Sequence, residues 1–259
     1  MAKQIITPEW VKNLKHQKLN FPLRESTEYG CNKCKDKGYT IYKTPMGNDG
    51  YCDCECQIPI QNMNRLKASG LEGVVKRYTF ESYKADKPFQ KHIFQTAKDY
   101  INNYDNESWF FVGGQSGIGK THICTAIAYN IMTVQKKRLR YETANEFLHE
   151  LKLSAMDEIN YHRIYGRLTE TPVLYIDDLF KSVRTTDADA RIIFNLINDR
   201  YLKKKVTIIS SEKTITDIEN AHMDLVAVAG RIIERSGEYL INVSQDNKKN
   251  FRKSKFLER

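Results

Sequence analysis

Eight consecutive residues, Gly114-Gln115-Ser116-Gly117-Ile118-Gly119-Lys120-Thr121, have the types and spacing needed to hold a phosphate chain. The glycines let the backbone turn its N–H groups inward as an anion nest, and a following helix offers its positive end to the same place. In this P-loop spelling Lys120 reaches the β and γ phosphates and Thr121 ligates Mg²⁺. So short a pattern also arises by accident, and its flanks decide. Trp109-Phe110-Phe111-Val112 predicts a buried strand entering the loop. Thr121 to Thr133, rich in Ala and Ile and free of Gly and Pro, predicts the helix leaving it.

A second pattern supplies acid. Val173-Leu174-Tyr175-Ile176-Asp177-Asp178 is an apolar strand ending in two carboxylates, which it carries to the sheet edge where the phosphates sit. Alone it would be a turn signal. After a P-loop it reads as Walker B, with Asp177 holding Mg²⁺ through water and Asp178 orienting or deprotonating the attacking water.

A third set suggests metal. Five of the six cysteines fall between Cys31 and Cys56, as a C-x-x-C, a short strand over Lys37 to Tyr42, a turn at Gly47-Asn48-Asp49-Gly50, and CDCEC. Tetrahedral Zn²⁺ needs four thiolates converging from two tight turns. Cys31 and Cys34 form the first pair and Cys54 and Cys56 the favoured second, with Cys52 the alternate. Metal binding would hold together a module too small for a core of its own. Cys124, inside the post-loop helix, reads as a small buried hydrophobe.

Around these sites the chain must supply a scaffold. Its 259 residues suit one α/β domain plus a small appendage. A formal charge of +9 and a pI near 9.1 favour a polyanionic partner or solubility. No apolar run is long enough to span a bilayer and MAKQIITPEWVKNLK lacks a signal-peptide core, so a cytoplasmic protein without membrane contact is expected. Pro8 to Asn20 reads as weakly helical. A connecting helix runs over Ile58 to Gly73, ended by Gly70 or Gly73, and an amphipathic helix from about Phe89 to Tyr104. The boundary is placed near residue 75, giving an N-terminal region 1–75 and an ATPase domain 76–259. A strand at Arg138 to Tyr141, a helix at Ala144 to Leu153, a helix at Asp187 to Leu202 and a strand at Val206 to Ser211 complete an alternation that implies a parallel sheet. Lys203-Lys204-Lys205 reads as a solvated turn. Arg231 and Arg235 lie four apart on one helical face, either to reach a nucleotide in a neighbouring subunit or as a surface ion-pair stripe. The run Lys248, Lys249, Arg252, Lys253, Lys255 either touches a phosphate backbone or is disordered.

Taken together, the cysteine module, RYTFESY, GGQSGIGKTHICTAIA, YIDDLF, LINDRYLKKKVTIISSE and GRIIER resemble the DnaC/DnaI-type bacterial and phage replicative helicase loaders, from about Cys31 to Arg252. The resemblance implies an AAA+ core, a parallel sheet flanked by helices, after a small zinc-binding module that grips a hexameric helicase. It implies weak ATPase activity with ATP/ADP, Mg²⁺ and Zn²⁺, contact with single-stranded DNA, and self-association through the ATP site. The octad and His122 would hold the nucleotide, Tyr78 and Phe80 would pack beside the adenine, and Arg231 or Arg235 would enter a neighbour's site. Where the family often has Ser-Asn at the sensor strand's end this chain has Ser211-Glu212, putting a carboxylate where an amide could contact the γ-phosphate. Either Ser211 takes over the sensing or hydrolysis is slow. No sequence after Arg252 is set aside for a helical lid. The related IstB-type transposition helpers share the core motifs without the cysteine module, and a non-hydrolysing adaptor or a helicase inhibitor would use the same sequence.

Overall fold

A computed structural model describes residues 30–68, 72–181 and 185–246. The Pro8–Asn20 segment and the basic run from Lys248 lie outside these residues. The chain divides into two compact units, one ending at Cys54 and one beginning at Glu55.

In the first unit, β1 (Tyr39–Lys43) and β2 (Asp49–Asp53) form an antiparallel hairpin with Ile41 opposite Tyr51 and Lys43 opposite Asp49. Its turn closes through Gly47 N–H to the Thr44 carbonyl (2.9 Å) and Thr44 N–H to the Asn48 carbonyl (2.9 Å). Gly47 sits at φ +81°, which costs glycine little.

The second unit is a five-stranded parallel sheet covered by helices. Its strands are β3 (Phe110–Gly114), β4 (Leu139–Thr143), β5 (Val173–Leu179), β6 (Val206–Ser211) and β7 (Leu240–Val243), in the order β4-β5-β6-β3-β7. Central strands of a parallel sheet are buried on both faces, so Phe110 to Val112, Val173 to Ile176 and Ile208-Ile209 read as unbroken apolar runs. Between strands run α4 (Lys120–Thr133), α5 (Ala144–Leu153), α6 (Glu158–Glu170), α7 (Asp187–Leu202), α8 (Ile215–Glu219) and α9 (Met223–Ser236), preceded by α1 (Gln57–Ala68), α2 (Glu72–Val75) and α3 (Pro88–Asn102). The starts of α5 and α7 fall where the sequence puts them because Thr143 with Glu146 and Thr186 with Asp189 form capping boxes. Within the expected 58–73 helix, the described residues are helical over α1 to Ala68 and again in α2, which contains Gly73.

The connecting helix sides with the larger unit. Asn62 is fully buried, donates from Nδ2 to the Lys137 carbonyl (2.6 Å) and accepts from Leu139 N–H (3.3 Å), so α1 pairs with the open flank of edge strand β4. The compact units therefore part at residue 54/55, upstream of the 75/76 division drawn from the sequence.

At the opposite end of the sheet from the P-loop, Arg200 of α7 is wholly buried. Its guanidinium donates to the Leu168 (2.7 Å), Thr171 (3.0 Å) and Val206 carbonyls and to Thr207 Oγ1 (3.0 Å), tying α6 and the link that follows it to β6. Burial pulls its pKa below the usual guanidinium value.

Candidate nucleotide site

β3 delivers the octad at the C-terminal edge of the sheet and α4 leaves it. Gly114 is at φ +139°, where a Cβ would stand 2.4 Å from the Val243 carbonyl oxygen, so β7 and the loop touch only because no side chain intervenes. Gly119 is at φ +96° and is the N-cap of α4, with no side-chain cap on the helix's first amides. Those amides keep their donors and the helix's positive end for an anion.

The loop opens into a cavity of about 430 Å³ lined by Ser116 to His122, Tyr78, Tyr83, Asp178, Lys181 and Glu212 among others. Lys120 is 5% exposed and donates to the Gly114 (2.8 Å) and Gln115 (2.9 Å) carbonyls. Burial lowers its pKa, and the charges of Glu212, Asp178 and Asp177 oppose that fall. The ammonium therefore rests on backbone oxygens beside three carboxylates, an arrangement suited to exchange for phosphate oxygens.

Thr121 and Asp177 meet, Oγ1 donating to Oδ1 at 3.2 Å. Three groups that the sequence did not single out fix Asp177. Tyr175 donates to Oδ1 (2.9 Å), Tyr141 to Oδ2 (3.2 Å), and Ser210 of the neighbouring strand to Oδ1. Ser210 also accepts from the Asp178 N–H (2.9 Å). Residues 141, 175 and 177 lie at a spacing of two on paired strands, a signal visible only once β4 and β5 are in register. Asp178 takes φ +56°, which turns it out of the strand into the cavity, and its Oδ2 is 2.6 Å from Lys181 Nζ.

The remaining expected residues separate. Tyr78 lines the cavity, stacked on His122 at 4.7 Å between ring centroids. His122 Nε2 is 2.9 Å from the Thr79 carbonyl, and burial lowers its pKa. Phe80 instead turns into the core against Phe94 (5.9 Å), under Lys98 Nζ (4.5 Å). Ser211 is buried and its hydroxyl accepts from Lys213 N–H (3.0 Å), while Glu212 is the residue at this strand end that lines the cavity. Arg231 and Arg235 stand outside the lining. Arg231 donates to Ala227 of its own helix (3.0 Å) and lies over Phe194 (5.1 Å). Arg235 donates to the Tyr201 carbonyl (2.9 Å) and lies 3.5 Å from Glu107.

Among the cysteines, the sulfurs of Cys31, Cys34, Cys54 and Cys56 all lie within 4.8 Å of one another. Cys31 and Cys54 are 3.8 Å apart, close to the separation of about 3.8 Å that Zn–S bonds of about 2.3 Å impose in a tetrahedron. The backbone amides of Cys34 and Lys33 lower the Cys31 thiol to about 7, favouring the thiolate that a metal requires. Cys52, the alternate, stays on the exposed strand facing Thr40 Oγ1 (3.1 Å). The donor set fits Zn²⁺.

Comparison with known proteins agrees with this geometry. Residues 61–254 match the family model described as IstB-like ATP binding protein. The chain is 28% identical over 229 residues to the phage-like element PBSX protein XkdC of Bacillus subtilis (strain 168), covering 84% of this chain and 83% of that protein. It is 26% identical over 143 residues to the replicative helicase loader DnaC of Buchnera aphidicola subsp. Schizaphis graminum, covering 54% of this chain and 57%, just over half, of that loader. The crystal structure of the DnaC helicase loader superposes with a TM-score of 0.56 at 23% identity, covering 67% of this chain and 99% of that one, which shows a shared fold. No described helix is long and apolar enough to cross a membrane.

Proposed function

The chain belongs to the IstB-like ATP binding protein family, and from that premise we propose that it is an ATP-dependent loader placing a hexameric replicative helicase on single-stranded DNA. The observation that carries the nucleotide part is the convergence of Lys120, the Thr121–Asp177 pair and Asp178 on one cavity at the sheet edge. Lys120 and the loop amides would hold the phosphates, Thr121 and Asp177 the Mg²⁺, and Asp178 the attacking water. Mg²⁺, when bound, supplies charge neutralisation at the phosphates. ATP bridging Lys120 of one subunit and Arg231 or Arg235 of the next would favour a ring or spiral, and hydrolysis would remove the bridge.

The loader part draws on the likeness to DnaC and on a cysteine module ahead of the ATPase unit. Zn²⁺ on Cys31, Cys34, Cys54 and Cys56 would fix that module for helicase contact. In the native host, the tagged chain is expected to retain the hexameric helicase in the presence of ATP. Retention of a transposase instead would favour an IstB-type transposition helper. About one zinc per chain is expected, lost in Cys34→Ser and kept in Cys52→Ser, measured by metal analysis.

Glu212 favours a second reading, a helicase-binding adaptor or inhibitor that holds ATP without turning it over, because a carboxylate in the cavity repels the γ-phosphate. Phosphate release with and without single-stranded DNA separates the two.

A further inference from the structure

Lys181 shares the nucleotide cavity with Lys120, Asp178 and Glu212, yet no motif assigns it a role. Its position is built by the backbone. Asp178 (φ +56°) and Phe180 (φ +62°) both take left-handed conformations, and Lys181 N–H donates to the Asp178 carbonyl (3.1 Å). This tight turn folds the lysine back over the carboxylate three residues before it, Nζ to Oδ2 at 2.6 Å. Left-handed geometry at two non-glycine residues in one turn carries a conformational cost that the surrounding structure must hold.

The charges around the cavity show what that position can do. Three carboxylates, Asp177, Asp178 and Glu212, act on two amines, Lys120 and Lys181. A triphosphate brings more negative charge than one Mg²⁺ removes, so a single amine would leave the terminal phosphate facing uncompensated acids. Lys120 is buried on backbone carbonyls, whereas the Lys181 side chain is 51% exposed and its partner carboxylate keeps 25% exposure. Such a pair is weak, and a flexible ammonium with three donors can exchange one oxyanion for another at little cost.

We propose that Lys181 is a second phosphate-binding amine, which covers Asp178 while no terminal phosphate is present and moves onto that phosphate when a triphosphate enters, uncovering Asp178 for the attacking water. The inference rests on the nucleotide reading above. It makes the site discriminate tri- from diphosphate within one subunit and assigns Asp178 a covered and an open state.

The test is titration of the full chain with fluorescent ATP and ADP analogues in Mg²⁺, comparing the parent with Lys181→Met and Lys181→Arg. Lys181→Met is expected to weaken ATP about tenfold and leave ADP within about twofold, the loss of one charge-assisted contact, and Lys181→Arg to keep most of the ATP affinity. An unchanged ATP-to-ADP affinity ratio in Lys181→Met overturns the proposal, whether both affinities hold or both fall together. A parent that binds neither analogue overturns the nucleotide reading itself and this inference with it.

Discussion

Two buried cations stand at opposite ends of the same sheet, and both rest on backbone carbonyls. Lys120 lies at the C-terminal edge on two oxygens of a glycine-rich loop, with three carboxylates near and an open cavity beside it. Arg200 lies at the other end, where three carbonyls and a hydroxyl from α6, the link after it and β6 fill its fork. Burial of the charge is common to both, so burial alone does not mark a working group. What separates them is whether the acceptors can be exchanged. The Arg200 oxygens belong to α6, to the link between α6 and β5, and to β6, and hold those segments in place, whereas the Lys120 oxygens belong to a loop that phosphate oxygens can replace.

The largest effect should come from breaking the fixed end. Arg200→Met is expected to cost roughly 3–4 kcal/mol, because four acceptors, three of them in buried bonds, lose their donor at once, and urea unfolding would report it. An unchanged midpoint would reduce Arg200 to an ordinary cation and dissolve the contrast. At the exchangeable end the signs reverse. Lys120→Ala should lower nucleotide affinity about a hundredfold while changing the stability read from urea unfolding by less than about 1 kcal/mol, since it removes a buried charge along with its contacts. Equal affinity in fluorescent-nucleotide titration would remove the nucleotide reading.

The smallest effect sharpens the comparison with a third group, His122. Burial depresses its pKa, so the folded chain holds fewer protons there than the unfolded chain. Its share of stability is therefore complete above the unfolded value of about 6.5 and is lost as pH falls through the lower folded value. Between pH 7.5 and 5.5 the parent should lose roughly 0.5 kcal/mol more than His122→Gln, a modest figure because the ring is only half-buried. Parallel losses in the two proteins would show that burial leaves the ring's proton affinity unchanged.

Much of this was legible in the residue string. The octad, Asp177-Asp178 and the four thiols carry their chemistry locally, and the caps at Thr143 and Thr186 set helix starts that periodicity also predicts. The illegible part depends on partners far along the chain. Arg200 sits in a basic stretch, Arg200 to Lys205, and only the folded chain brings Leu168, Thr171 and Val206 around it. The hydroxyls of Tyr141, Tyr175 and Ser210 converge on Asp177 through strand register, which no single segment records. Helix α6 escaped because its face is interrupted by polar residues and Gly166, and β7 because four residues give too little alternation to read.

The carboxamide of Asn62 supplies one rung of a ladder that a sixth strand would otherwise have offered to β4. A fragment beginning at Arg77 would strip that rung away and leave a bare margin on which a second copy could stack, inviting aggregation, whereas one beginning at Glu55 would keep the margin shielded.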